Sequence, residues 1–384
     1  MKKYDSINRL HRVMAGAAVD AVPIVLDFES SYACEYAGVD FLKATWHYED
    51  LVAAYDKILQ DFDMDISLGL EWRSPLKSEL LGSRAWIQNR DNGTMQHPEV
   101  TAMEAEDYPL LIQDPHRCFA ERILPRLYSK LGQSQAADAE VLLKAMAFDN
   151  SQLNAFYTAL YEVTEKHQVP SYHGSMFYAP FDLIADHLRG ITQISLDLRR
   201  HKNELLDACA ALTDIMVRYV DDTLYPEVPG FPFAASWVHL PPMINPKQFK
   251  TFFWPTFKKV CDALVDHGHY LYLQFQGDYT DGRYFDYYSE LAEGKALIAV
   301  EHQDFKQTLE TIGKHNAVSC SYPLSYLTTH SEQACIDKAK EILDIGMAHG
   351  RFYFGFNKPA FSFKDAAPEK MKAVINFVRE YGKY

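Results

Sequence analysis

The sequence has few cations, no cysteine motif and no long apolar run, and each absence excludes a class of protein. Its 384 residues carry a formal net charge of −14, which argues against nucleic-acid binding because phosphate recognition needs a basic surface. No apolar run approaches ~18 residues, and the first residues lack the apolar core of a signal peptide. We therefore expect a soluble cytoplasmic protein that binds neither nucleic acid nor membrane.

The spacing of the cysteines and the absence of familiar catalytic motifs exclude further classes of protein. No CxxC spacing links the cysteines, so we expect reduced thiols in a reducing compartment. The six are Cys34, Cys118, Cys209, Cys261, Cys320 and Cys335. The chain also has no glycine-rich phosphate loop, no GxSxG, no HExxH and no obvious Cys–His zinc spacing. Nothing in the sequence points to NAD, ATP or a serine nucleophile.

What the sequence does contain is a series of eight short apolar runs, each ending at a polar or acidic residue. They lie at residues 21–29, 64–72, 169–177, 230–240, 270–278, 296–302, 317–323 and 352–357. Buried strands that alternate with helices are typical of a parallel sheet covered on both faces. Eight such units predict an α/β fold of the (β/α)₈ TIM-barrel type, with its chemistry at the carboxyl ends of the strands.

The helical pattern predicts one domain over residues 1–384 with an insertion after the second strand. Helices are expected over 5–16, 49–61, 201–225, 332–348 and 368–381, and another should begin near Asn245–Pro246. The insertion spans about 74–167 and holds a hairpin with a turn at 91–93, followed by two or three helices. We expect it to cap the mouth of the barrel or to build a subunit interface, and a homodimer would fit the latter.

The polar residues at the strand ends form the candidate site. They are Asp27, Glu29, Glu71, His173, Trp237, His239, Gln274, Gln276, Asp278, Glu301, His302 and Asn357. Alternation along the fifth run predicts that Gln274, Gln276 and Asp278 point the same way, with Gly277 allowing close backbone approach. The alternative is a hydrogen-bonded polar layer that orders the following loop.

Two further pairs of strand-end residues could carry acid–base chemistry. Asp27 and Glu29 share a face and could split their pKa values into an acid and a base, unless arginines such as Arg73 or Arg189 pair with them. Glu301 could be a cavity carboxylate, whereas the adjacent His302 should face the surrounding helices.

Histidines and aromatic residues complete the expected site. Trp237 and His239 resemble a pocket wall with a polar tip, while His173 could be a site residue or a core histidine. A heavy aromatic load around the mouth favours a flat organic substrate or a macrocycle. It comprises Trp46, Trp72, Trp237, Trp254, Tyr178, Tyr279, Tyr284, Tyr322, Tyr326, Phe354 and Phe356.

Several motifs resemble those of the uroporphyrinogen decarboxylase superfamily. They are RVMAGAAVDAVPI (12–24), DYPLLIQDPHRCFAERILPRL (107–127), YAPFDLIADHLRGI (178–191), the GDYT segment (277–280), SYPLSYLTTHSEQACIDKAKEIL (321–343) and AAPEKMKAVINFV (366–378). The resemblance covers nearly the whole chain and also implies a (β/α)₈ barrel. The superfamily's decarboxylases resemble one another in an N-terminal RQAGRY segment, and the corresponding DFESSYACEY here has no arginine. Decarboxylation of a tetrapyrrole is therefore not expected.

The other branch of the superfamily contains corrinoid-dependent methyltransferases. Its coenzyme M members bind zinc through HxC and a later cysteine, and those positions resemble Gln274, Gln276 and Phe356 here. Zinc and thiol methylation are therefore not implied. The strand-five sequence is similar to the FFEGDY of anaerobe-associated relatives, some of which are thought to demethylate methoxylated aromatics.

The resemblance favours a corrinoid-dependent methyltransferase of anaerobic metabolism that takes methyl from a small donor such as a methoxylated aromatic. A partner protein would supply the cobalamin. Asp278 and Glu301 are expected as acid or ligand, with help from His239 and His173. A metal held by Asp278, Glu301 and His239 is a lesser alternative. Gln274 and Gln276 would orient the donor and Trp237 and Tyr279 would stack on it, with Glu29, Phe356 and Asn357 as further contacts.

Two other functions stay open. One is a cofactor-free decarboxylase or lyase acting on an aromatic or pyrrolic acid, with Arg283 or Arg73 as the cation and Asp27 as the acid. The other is a non-catalytic binding subunit.

Overall fold

The computed structural model describes residues 2–170, 176–223 and 233–384 and has a mixed α/β fold. Its strands are β1 Val25–Leu26, β2 Ile66–Ser67, β3 Ile87–Gln88, β4 Met95–Gln96, β5 Phe233–Val238, β6 Tyr270–Tyr279, β7 Ala296–Gln303, β8 Ala317–Ser319 and β9 Phe352–Tyr353. Strands β5 to β9 form a five-stranded sheet in chain order, and all its pairings are parallel.

Helices separate the strands and cover the sheet. The α-helices are Lys2–Met14, Ser30–Ala37, Phe41–Ala44, Tyr48–Asp61, Pro75–Leu81, Tyr108–Gln113, Pro115–Cys118, Leu124–Leu127, Gln135–Phe148, Asn154–His167, Pro180–Asp182, Ile191–Arg200, Lys202–Thr223, Pro246–Gln248, Trp254–Asp266, Phe285–Tyr288, Phe305–Glu310, Tyr326–Thr329, Glu332–His349 and Pro368–Tyr381. Segments of π-helix occupy Phe119–Ile123, Asp149–Leu153, Leu183–Arg189 and Phe249–Phe253, and 3₁₀ turns occupy Ala105–Asp107, Pro241–Met243 and Ile312–Lys314. In the part of the chain that the structure describes, no helix is both long and apolar enough to span a bilayer.

Parallel pairing also joins the first strands of the chain, and isolated parallel bridges link further segments. β1 pairs with β2, and the amide of Ser67 donates to the carbonyl of Pro170 over 3.0 Å. A parallel bridge links Met176 to Ala235 of β5, and another links Ile24 to Phe354 just after β9. The bridge from Ile24 to Phe354 places the first strand beside the last. The expected third strand, 169–177, lies mostly outside the described residues.

One end of these strands is closed by the first helix. An apolar cluster joins residues of that helix to residues near the amino ends of the strands, where burying apolar surface stabilises the fold. Its members are Leu10, Val13, Met14, Val25, Ile66, Phe233, Ala235, Tyr272, Leu297, Ala317 and Tyr353. The carboxyl ends of the strands are left for the site.

A buried carboxylate ties the first and last helices to the strands. Asp65 is 2% exposed and accepts hydrogen bonds from the guanidinium of Arg9 and, over 2.8 Å, from that of Arg379. The Ser6 hydroxyl and the Ile24 amide donate to the same carboxylate over 3.1 and 2.9 Å. Because a buried charge needs paired donors, Asp65 fixes the relative position of these elements.

Most helices predicted from the sequence are confirmed to within a few residues. The helix after β5 begins at Asn245, whose side chain forms a capping box with Gln248. The predicted insertion holds an antiparallel hairpin of β3 and β4, and its turn at 91–93 has Gly93 at φ +77°. Several helices then occupy residues 108–167. The secondary structure in these segments therefore agrees with the pattern of the sequence.

Candidate functional site

A cavity opens at the carboxyl ends of the strands. Its lining residues are Val25, Asp27, Leu68, Tyr272, Gln274, Ala299, Ser319, Tyr353, Gly355, Phe356, Lys358 and Pro359. The space free of protein atoms is about 320 Å³, the mouth included. This figure includes open solvent, so the enclosed part of the cavity is smaller than a usual ligand pocket and a ligand would have to occupy the mouth as well.

Asp27 is the acidic residue of this cavity. It follows β1 directly, and burial, with repulsion from Glu29 and Glu71, raises its pKa from 3.8 to about 7. Burial raises the pKa because removing water penalises the charged form, and nearby carboxylates penalise it further. Asp27 can therefore keep and donate a proton near neutral pH, as a general acid must.

The pKa of Glu29, the neighbouring carboxylate, depends on different surroundings. Burial also raises the pKa of Glu29, but the charge of Arg73 opposes this effect. Arg73 itself lies 2.6 Å from Glu71. The expected arginine partner of this acidic pair is thus Arg73, whereas Arg189 pairs with Asp197 over 2.6 Å. The two carboxyls at the end of β1 have different surroundings, as an acid and a base require.

Gln274 gives the cavity an unused hydrogen-bonding group. The residue is 4% exposed, and its side-chain oxygen has no hydrogen-bond partner within the described residues. A buried polar atom without a partner costs about 1–3 kcal/mol. A ligand that donates a hydrogen bond to Gln274 would recover this free energy.

Aromatic rings form part of the cavity wall. Tyr272, Tyr353 and Phe356 line it, and Trp237 packs edge-on against Tyr272 with ring centroids 6.2 Å apart. The prediction that Phe356 belongs to the site agrees with this geometry. Trp237 contacts this wall but is not itself a lining residue.

A β-bulge breaks the alternation that was predicted for the polar residues of β6. The pairing with β7 shifts register between Phe275 and Asp278, and Gly277 at its centre has φ +105°. The Gly277 amide donates to Glu301 over 2.8 Å. Gln274 lines the cavity, whereas Gln276 and Asp278 are not among its lining residues.

Asp278 instead stabilises the turn that follows β6. Its carboxylate accepts hydrogen bonds from the amide and hydroxyl of Thr280 over 2.9 and 2.7 Å, which lowers its pKa. The side chain is exposed. An exposed carboxylate with a lowered pKa is ionised at neutral pH and is poorly suited to donate a proton.

The alternative metal set of Asp278, Glu301 and His239 is not assembled. Glu301 is held by the bulge and approaches His302 to 3.5 Å, and His302 is largely exposed. The His239 ring lies 3.8 Å from Asp186, while its backbone amide donates to Asp182 over 3.0 Å. Within the described ranges, no group of three or more His, Cys, Asp or Glu side chains could hold a metal ion.

Two other predicted contacts have structural roles, and a third cannot be assessed. Tyr279 is fully buried, and its ring packs against Phe275 and Tyr288, so it cannot stack on a cavity ligand. The Asn357 side chain accepts a hydrogen bond from the amide of Leu324 over 3.0 Å. His173 lies outside the described residues.

Lys358 lines the cavity although it was not predicted from the sequence. Parallel bridges join Ile24 to Phe354 and Phe28 to Ala360. Between these bridges the first segment advances by four residues and the second by six. The segment between Phe354 and Ala360 must therefore bow, and we call it the 355–359 bow. The bow brings Lys358 to the cavity that contains Asp27. A lysine directly before a proline, just past the last apolar run, was the available sequence signal.

Comparison with known proteins agrees with this fold. No curated protein matches the chain. A methyltransferase from Methanosarcina mazei has a similar structure, with a TM-score of 0.61 and 14% sequence identity over 97% of this chain and 98% of that one. At this identity the likeness concerns the fold. The family described as uroporphyrinogen decarboxylase (URO-D) matches residues 120–381, which is more than half of the sequence. The chain therefore belongs to the uroporphyrinogen decarboxylase family.

Proposed function

We propose that this protein is a methyltransferase that holds a small methyl donor in the cavity beside Asp27. We also propose that its strands close a (β/α)₈ barrel, with the cavity at the carboxyl ends of the barrel strands. Three contacts between neighbouring strand segments support this closure. They are the bridge from Ile24 to Phe354, the hydrogen bond from Ser67 to Pro170 and the bridge from Met176 to Ala235. The observation that carries the activity is the Asp27 carboxyl group, whose pKa near 7 suits proton transfer in this cavity.

The donor class follows from what the cavity residues can do. A methyl group bound to oxygen leaves readily only if the oxygen is protonated as the carbon–oxygen bond breaks. Asp27 would supply that proton, and the Gln274 oxygen would accept a hydrogen bond from a ring hydroxyl of a donor that carries one. The rings of Tyr353 and Phe356 would hold an aromatic ether in place. A methoxylated aromatic therefore suits the chemistry of this cavity.

The methyl acceptor in this proposal is a corrinoid carried by a partner protein. When bound, reduced cobalamin supplies the nucleophile that takes the methyl group. A corrin macrocycle is several times larger than a single aromatic ring, so we assign the cavity and its mouth to the donor.

Decarboxylation is a second candidate because a cation and an acid share the cavity. Lys358 could bind a carboxylate, and Asp27 could protonate the carbon from which carbon dioxide departs. The cations expected from the sequence are engaged elsewhere. Arg283 pairs with Asp281 over 2.7 Å, and Arg73 pairs with Glu71.

An anaerobic absorbance assay tests the proposal. We would mix the enzyme and cob(I)alamin with 4-methoxybenzoate, methylamines or methanol, using an enzyme-free blank. The proposal predicts loss of the cob(I)alamin absorbance with one of these donors. Asp27→Asn should slow the reaction by about 10²–10⁴-fold, whereas Asp281→Asn, an exposed carboxylate outside the cavity, should not.

Two other outcomes would contradict methyl transfer. Release of labelled carbon dioxide from a carboxyl-labelled benzoate, without methyl transfer, would favour the decarboxylase. Ligand binding without either reaction would favour a binding subunit.

A further inference from the structure

The 355–359 bow presents a cation to the cavity without neutralising it. Lys358 is exposed at the mouth, and among the described residues it has no hydrogen bond and no ion pair. Many other lysines of this protein do have carboxylate partners, such as Lys340, which lies 2.7 Å from Asp344. An unpaired ammonium group on a concave surface is a ready binding group for an anion.

The bow is itself anchored, so the position of Lys358 is defined. The Asn357 amide donates to the carbonyl of Tyr322 over 2.9 Å, and its side chain accepts from Leu324 over 3.0 Å. At the far side, the amide of Glu29 donates to the carbonyl of Ala360 over 3.1 Å. Lys358 thus lies between two fixed points of backbone.

The other polar groups of the cavity leave the ammonium charge available. Asp27 keeps its proton at mildly acidic pH because its pKa is about 7. Gln274 and Ser319 are neutral, and Tyr272, Tyr353 and Phe356 supply aromatic surface. The lining therefore combines one cation at the mouth with rings and neutral hydrogen-bonding groups inside.

We propose that Lys358 binds a carboxylate group of the molecule in this cavity, so that the substrates are small aromatic carboxylic acids. The carboxylate would lie at the mouth beside Lys358, and the ring would lie against Phe356 and point towards Asp27. Asn357 acts as a positioning residue because it holds the bow and does not line the cavity. The identity of the reaction rests on the proposed function, but the binding step can be measured separately.

Calorimetric titration at pH 6 with a matched pair of probes tests the inference. The probes are 4-methoxybenzoate and 4-methoxybenzamide, which differ in charge and have nearly the same shape. The wild-type protein should bind the carboxylate more tightly than the amide. Lys358→Met should weaken carboxylate binding by about 10- to 100-fold and leave amide binding almost unchanged. Lys364→Met, an exposed lysine outside the cavity, should bind both probes like the wild type.

Variants of Asn357 separate positioning from general structural damage. Asn357→Ser keeps a neutral side-chain oxygen as an acceptor for the Leu324 amide and should preserve the preference for the carboxylate. Asn357→Leu removes the acceptor and should reduce that preference, with a folded circular-dichroism spectrum.

The outcomes distinguish this inference from the proposed function. If the wild type binds the amide as well as the carboxylate, or if Lys358→Met and Lys364→Met behave alike, the inference is overturned. Selective carboxylate binding without methyl transfer would retain the inference and reject the methyltransferase. Methyl transfer from neutral donors only would retain the methyltransferase and reject the inference.

Discussion

Replacing Asp27 by asparagine should change how the stability of the protein depends on pH. The carboxyl has a pKa of about 7 when folded and an ordinary value of 3.8. Between these pH values the folded protein binds a proton that the unfolded chain has lost. The contribution of Asp27 is therefore fully present below pH 3.8 and is lost as the pH rises through 7.

The magnitude follows from the difference between the two pKa values. Each pKa unit corresponds to about 1.4 kcal/mol, so the rise from 3.8 to about 7 corresponds to about 4 kcal/mol at most. Roughly two thirds of this lies between pH 5 and pH 8.5, and water reaching the carboxyl through the mouth reduces it further. We expect Asp27→Asn to gain about 2 kcal/mol relative to the wild type over this range.

Urea unfolding at several pH values measures this difference directly. The free energy of unfolding is determined for the wild type and Asp27→Asn at each pH, and the two values are subtracted. Asp182 also has a pKa raised by burial to about 7, but it is present in both proteins and largely cancels. Asp281→Asn serves as the control and should give a flat difference.

Parallel curves for the wild type and Asp27→Asn would refute the reasoning. Asp27 would then ionise like an ordinary aspartate and could not hold a proton at neutral pH. The proposed methyltransferase would lose its acid, and so would the decarboxylase.

Two further comparisons test the fold. Asp65→Ala should lower the free energy of unfolding by about 3–5 kcal/mol, because the Ser6 hydroxyl and the Ile24 amide lose their buried acceptor and two guanidinium groups each lose one carboxylate. Asp20→Ala removes a 72% exposed carboxylate and should cost less than about 1 kcal/mol. Gly277→Ala should cost about 3 kcal/mol in urea unfolding, since its φ is +105° and a Cβ would lie 2.9 Å from Pro242. Gly268→Ala, at φ +95° with open space around it, should cost only about 1 kcal/mol. Equal losses of stability in the two aspartate variants would show that burial of Asp65 is not the cause. Equal losses in the two glycine variants would show that the clash with Pro242 is not the cause.

The sequence placed Asp27 among the candidate site residues by a simple rule, and the structure places it in the cavity lining. Asp27 follows an apolar run, and polar residues at the ends of parallel strands collect at one edge of the sheet. Burial is the main cause of its raised pKa, and the nearby Glu29, which is visible in the sequence, raises it further. Local pattern and tertiary structure agree at this position.

The sequence could not predict the orientation of side chains beyond an irregularity in the backbone. Asp278 was assigned to the cavity by alternation, but it is not a lining residue, and a bulge lies directly before it. A glycine in a strand is a recognised signal for a bulge, although it does not show which residues are redirected. Lys358 was missed for a similar reason, because the bow depends on pairing with residues near Phe28.

The pairing of Ile24 with Phe354 has a consequence for protein synthesis. The first strand segment emerges from the ribosome about 330 residues before the segment that pairs with it. At roughly 5–20 residues per second, it would wait about 15–65 s for this partner. During that time one edge of β1 has unsatisfied backbone groups and could pair with other chains. Chaperones that bind nascent chains should therefore protect this edge until Phe354 has been made.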